Sequence, residues 1–361
     1  MTDTVDWDLA RKVASRISAR KPHATASTWG SLEDDFLELT PVAEDLVEKE
    51  TGLRSLDGVA RARATDRAGW VDANLASFDR LLRPLLESFD NDDEPGRFGR
   101  ITAPVSDALG PKAAAMQVGG LLGWMSGRVL GQYDLLVIED ERPEDQDWVY
   151  FVGPNIRSLE ERYGFAPREF RLWIAVHECT HRAQFTGVPW LRPYFLSLVN
   201  ELLEAVDPDP GRLVDTVRDL VEKKRSGGDN AVSLKDGGLG ALLATDEQKL
   251  TLDKMTGLMS LLEGHGDITM DRAAKHLIPS QERFSRILSA RRKSPSGVAK
   301  VVQRLTGMEA KMAQYEEGEH FVETVEAAGG RELFDLVWSG PDSLPSIDEI
   351  REPSLWIARH R

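Results

Sequence analysis

The sequence predicts a mainly α protein with a small β-sheet, an α+β arrangement. Most of the 361 residues fall in stretches whose apolar side chains recur every three or four positions, the spacing that gathers them on one helix face. Only the region around residues 133–152 carries strand-length runs rich in β-branched and aromatic residues. Pro167 and Gly187 bracket one helical run with a first-turn proline and a closing glycine.

In chain order, residues 7–18, 32–51 and 58–86 show helical spacing, and Asn91 to Gly96 breaks it. Residues 113–127 are apolar and glycine-rich, closed by Lys112 and Arg128, and shorter than the roughly 20 residues a membrane span needs. They read as a buried helix, with Gly119, Gly120 and Gly123 serving close packing. Residues 133–138 and 148–152 read as a hairpin or two neighbouring strands across an acidic, proline-bearing loop. The second strand, just before the helix opened by Pro167, is expected to hold an extended peptide by edge pairing. Residues 212–361 are again helical, with a glycine-rich, charged break at 223–240, and Trp338 and Trp356 pin the turn-rich tail to the body. No linker is sharp enough to prove separate domains, so the expectation is an N-terminal helical region, 1–100, continuous with a metal-binding domain, 101–361.

Charge and cysteine content exclude several partners. The formal net charge is -15 and the pI about 5.0, whereas nucleic acids and anionic membranes select basic surfaces. One cysteine precludes an internal disulfide. Asp3, Asp6 and Asp8 stand where a secretion signal would carry basic and then apolar residues. A cytoplasmic location follows as the expectation.

The chemistry concentrates in His177-Glu178-Cys179-Thr180-His181. Positions i and i+4 share a helix face, so the two imidazoles address one point in space, as two zinc ligands must. Glu178, one residue round, is placed to accept a proton from water and not to coordinate beside both histidines. HExxH arises by chance about once in a hundred chains of this length and histidine content. Here Phe170, Trp173, Ile174, His177, His181 and Phe185 form one stripe, which places the histidines on the apolar, inward face.

The third ligand lies elsewhere, because residues 182–187 lack the glycine and histidine of HExxHxxGxxH. Glu263 shares a stripe with Met255, Met259 and Leu262, and Asp267 follows one turn on, where it can orient a ligand histidine from behind. His265 is the alternative third ligand; it points about 200° from Glu263, so the two do not serve one metal together. Tyr315 is a candidate for stabilising an oxyanion. Cys179 faces away from the histidines and reads as a packing residue. His23, His276, His320 and His360 have no evident partner in the sequence.

With these residues in view, the chain resembles the zincin-like hydrolase family of actinobacteria, in the branch associated by name with deazaflavin-coenzyme biosynthesis. The likeness covers most of the chain. It is carried by Val5 to Ala10, Val129 to Asp134, His177 to Arg182 with Gln184-Phe185, Met259 to His265, and Gln314 to Gly318. The resemblance implies a zincin-like metallopeptidase fold with an active-site HExxH helix, bound Zn2+ and, as in gluzincins, a glutamate third ligand, which favours Glu263. The long gap between His181 and Glu263 departs from the better-known gluzincins, and no residue argues for binding the deazaflavin. The function expected is zinc-dependent hydrolysis of a peptide or small amide, with Glu178 as general base. The alternative is a non-catalytic, zinc-stabilised interaction protein. The sequence does not specify the oligomeric state.

Overall fold

The computed structural model describes residues 5–19, 30–91, 106–135, 147–204, 246–273, 275–293 and 308–361. It is mostly helical with one three-stranded sheet, the fold class expected. The chain divides into two compact units, Met1–Ala183 with Ala273–Gln281, and Gln184–Arg272 with Glu282–Arg361.

The first unit opens with α1, Trp7–Ser18, whose start is fixed by the Asp6 carboxylate accepting from the Leu9 N–H at 2.8 Å. It then runs through α2 (Gly30–Thr51), β1 (Arg61–Thr65), α3 (Arg67–Asn91) and α4 (Ser106–Met125). After β2 (Gly131–Tyr133) and β3 (Trp148–Val152) come α5 (Gly153–Tyr163) and α6 (Pro167–Gly187). Helices α1 and α4 touch backbone to backbone: a Cβ on Gly119 would sit 2.3 Å from Ala10 O, and one on Gly123 2.8 Å from Ala14 O. Gly119 and Gly123 serve helix packing, as expected, whereas Gly120 has open space beside it and does not. As expected, α4 is buried on one side, through Ala115 and Leu122, and on its outer side Met116 and Leu121 are exposed. No described helix is long and apolar enough to cross a membrane.

The strand order is β1-β3-β2, with β1 parallel and β2 antiparallel to β3. β1 falls where the periodicity predicted helix. Its burial alternates, Ala62 and Ala64 in and Arg63 out, and alanine spaced by two satisfies a strand face while its helix propensity misleads. The expectation that residues 148–152 offer an edge to a peptide is overturned, since β3 is the central strand and both its edges are occupied. The pairing of 133 with 149 supports the expected neighbouring strands, although residues 136–138 lie outside the described residues.

The two sheet faces do different work. Phe151 on one face stacks on Phe36 of α2 at 3.6 Å, and Val152 on the other joins the core of Trp70, Val71, Leu75 and Leu122. Buried Asn155 secures the strand-to-helix corner: it accepts from Arg67 Nε at 2.8 Å and donates to the carbonyls of Ser126 and Val129. Helix α6 is buried on nearly every side, so its two buried arginines need partners. Arg171 makes two bonds to Glu160, at 2.7 and 2.9 Å, and also contacts Asp35. The segment 273–281 returns to this helix through the Ser280 N–H, 3.0 Å from the Glu169 carboxylate.

The second unit contains α7 (Leu191–Glu204), α8 (Asp246–Ala273), α9 (Gln281–Lys293), α10 (Met308–Phe334), α11 (Ile347–Arg351) and α12 (Pro353–Arg359). Helices α8 and α10 meet at glycines: a Cβ on Gly264 would lie 2.2 Å from the Gly318 carbonyl carbon. The tail is anchored as expected, with Trp356 fully buried against Phe321 and its indole N–H on Ser343 O at 2.8 Å. Trp338 packs beside the same core, and its carbonyl accepts from Trp190. The break expected at 223–240 lies outside the described residues.

Candidate metal centre

Helix α6 spans the bounds set by Pro167 and Gly187 and carries the whole HExxH segment. The Nε2 atoms of His177 and His181 face each other at 3.1 Å, with the rings nearly perpendicular. Two nitrogens bound at about 2.0–2.1 Å with a tetrahedral angle between them stand about 3.3 Å apart, so the pair has the spacing zinc requires. Both histidines are partly exposed on a helix that is otherwise almost wholly buried. The expected stripe is apolar and buried at Phe170, Trp173, Ile174 and Phe185, and the two imidazoles on it keep partial access to solvent.

One ligand atom from each of His177, His181 and Glu263 lies within 4.8 Å of the others, so the three side chains could hold one metal ion. Two imidazole nitrogens and a carboxylate oxygen are an ordinary donor set for zinc. Glu263 sits on α8 and is, like the histidines, partly exposed. His265 is not in the group. Its ring lies 5.4 Å from that of Phe334 and 5.3 Å from that of Trp338, with Nδ1 2.9 Å from the Gln184 amide nitrogen. Gln184 also donates to Leu262 O at 3.1 Å, so the HExxH helix ends in a polar anchor on α8. Asp267 is buried on α8, one turn beyond Glu263. Tyr315 falls in α10, in a stretch whose side chains lie outside the description.

Glu178 is buried and packs against the start of β2: a Cβ on Gly131 would come within 2.6 Å of its Oε1. A side chain at that strand position would oblige the Glu178 carboxylate to shift. The neighbouring network fixes the helix against the strands. Arg182 grips Asp147 through Nε at 3.1 Å and Nη2 at 2.6 Å, and through Nη1 reaches Glu44 at 2.6 Å and Gly58 O at 3.0 Å. Tyr133 donates its hydroxyl to the same Asp147 at 2.9 Å. Asp147 takes a left-handed backbone, φ 58°, just before β3, a conformation aspartate tolerates better than most residues. Sequence reasoning missed this network, because an isolated buried arginine leaves no periodic signal.

Burial pushes Glu44 up from its ordinary range, against the pull of the Ala60 N–H and Arg182. Burial likewise pushes the Cys179 thiol well up, with Glu44 adding to the shift, and its Sγ lies 3.8 Å from Thr40 O. Cys179 is thus a packing residue, as expected, held as a thiol and useless as a nucleophile.

Comparison with known proteins places this geometry in context. A family model described as zincin-like metallopeptidase matches residues 5–357. A solved structure from Chloroflexus aurantiacus, described as a "putative hydrolase with a novel fold", is similar at 31% identity and a TM-score of 0.68, covering 98% of each chain. No curated protein gives a significant match.

Proposed function

Because the chain belongs to the zincin-like metallopeptidase family, we propose that it is a zinc-dependent hydrolase of the peptidase type. In this reading His177, His181 and Glu263 hold the metal and Glu178 is the general base. The observation that carries it is the convergence of two imidazoles and one carboxylate within 4.8 Å, all partly open to solvent. Zinc, when bound, supplies Lewis acidity, polarising a scissile carbonyl and making water acidic near neutral pH.

The chain's own residues do the rest. Glu178, hemmed in by Gly131, accepts the proton of the attacking water and returns it to the leaving amine. Asp267 orients a ligand, and Tyr315 steadies the developing oxyanion. With β3 paired on both sides, an extended peptide would run instead beside β2, the strand against which Glu178 lies. The substrate is a peptide or a small amide.

Among the described residues three donors form the group, an open set that favours catalysis over a structural role, since structural zinc sites usually close with four protein ligands. The test joins metal analysis to turnover. Purified protein is expected to carry one zinc per chain, to lose it on His181→Ala, and to cleave members of a quenched-peptide library. Stoichiometric zinc with no cleavage of peptides or small amides would favour the zinc-stabilised interaction protein.

A further inference from the structure

The face of the sheet turned away from Glu178 holds a cleft of about 300 Å³. Register defines it. Arg63 on β1 pairs with Tyr150 on β3, and Gln132 on β2 pairs with Tyr150 from the other side, so these side chains share one face. Gly131 and Tyr133 belong to the other face, with Glu178 and Asp147. On the α3 side the cleft is lined by Gly69, Ala73 and the exposed Ala76, beside the stripe of Trp70, Val71 and Leu75 that packs on the sheet. Large apolar side chains would ordinarily fill that space.

Its polar groups are pre-arranged. The Arg63 guanidinium lies 3.9 Å from the centre of the Trp148 ring, which fixes its plane. Among the described residues no carboxylate forms an ion pair with Arg63, although acidic residues outnumber basic ones 60 to 45. Tyr150 forms the buried floor. Burial and Asp134 push its hydroxyl up, against the pull of Arg63 and Arg80, so it stays protonated and able to donate. Asp72, on the wall, is engaged by Arg11 at 2.7 Å.

We propose that this cleft binds a small organic monocarboxylate, with Arg63 gripping the carboxylate, Tyr150 donating a hydrogen bond and the alanine methyls covering the apolar body. An oriented guanidinium fork matches a planar carboxylate. Asp72 and Asp134 line the same space, and they repel a phosphate dianion more than a monoanion. The site is independent of the metal-centre reading, because it uses neither the other sheet face nor α6.

The test is calorimetric titration of the full-length chain, zinc-loaded and metal-free, with benzoate and with inorganic phosphate. Saturable benzoate binding is expected in both forms, weakened about tenfold or more by Arg63→Gln, as loss of a charge-assisted bidentate contact implies. Ala76→Leu, at an exposed position, should block the cleft without changing charge, and its melting curve reports folding. Absence of saturable binding, unchanged affinity in Arg63→Gln, tighter binding of phosphate than benzoate, or binding only with zinc present would each overturn the proposal. Failure here leaves the HExxH reading intact, and failure of zinc binding leaves this site intact.

Discussion

At the scale of single residues, roles divide by what each side chain touches. Replacing Glu178 with Gln removes the proposed proton acceptor and keeps the shape, so zinc content should hold while turnover drops by roughly 10²–10⁴, the usual worth of a general base. Zinc analysis beside a peptide assay checks this. Gly131→Ala offers an independent probe, because its new Cβ would fall 2.6 Å from the Glu178 carboxylate. It should cut turnover and leave zinc bound, whereas unaltered turnover would show that the placement of Glu178 does not matter. His265→Ala decides between the two third-ligand candidates. With its ring against Phe334 and Trp338 and its Nδ1 at Gln184, its loss should cost about 2–4 kcal/mol of stability, as large-to-small core changes do. Zinc stoichiometry should stay at one; loss of zinc without loss of stability would make His265 the ligand.

At the scale of elements, glycine contacts and end-capping set what can move. Gly264 and Gly318 bring α8 and α10 into backbone contact, and α8 carries Glu263. Gly318→Ala would set a Cβ 1.9 Å from Ser260 O, so the helices must separate. A destabilisation at or above the 1–3 kcal/mol of ordinary overpacking is expected in denaturant titration. Short helix α11 depends on its start, where Ser346 and Glu349 form a reciprocal capping box and Arg359 reaches Glu349 at 2.8 Å. Burial raises the Glu349 carboxyl, but the bonds from Arg359 and the Ser346 N–H outweigh it, and the net shift is downward. A depressed carboxylate contributes stability that is complete above its unfolded pKa of about 4.3 and disappears as pH falls through the lower folded value. Glu349→Gln should therefore lower the melting temperature at pH 7, with the difference from wild type closing in acid.

At the scale of the whole molecule, the proposed metal site would link metal to fold. An ion that binds only the folded state stabilises it by RT ln(1 + [L]/Kd), about 4 kcal/mol at a thousandfold excess over Kd. Chelation should lower the melting temperature and zinc should restore it, while His177→Ala should melt at the same temperature with or without zinc. Equal melting of wild type with and without metal would remove the linkage. Much of the scaffold was legible from periodicity alone. Helix α1 matches its expected bounds and α6 runs from Pro167 to Gly187, because apolar spacing and terminal proline or glycine are local properties. β1 was not, since Arg-Ala-Arg-Ala-Thr satisfies helix propensity until its neighbour β3 is in place.

By itself the sequence determined the helical class and the HExxH pair, because spacing along a helix fixes which side chains share a face, and it left Glu263 and His265 as the candidates for a third ligand. Tertiary structure alone decided that β3 lies between two strands, that Glu178 lies against Gly131, that Arg182 is enclosed by Asp147 and Glu44, and that His265 packs among aromatic rings. Each is a contact between residues far apart in the chain, set by how whole elements pack, and no local pattern of residues encodes it.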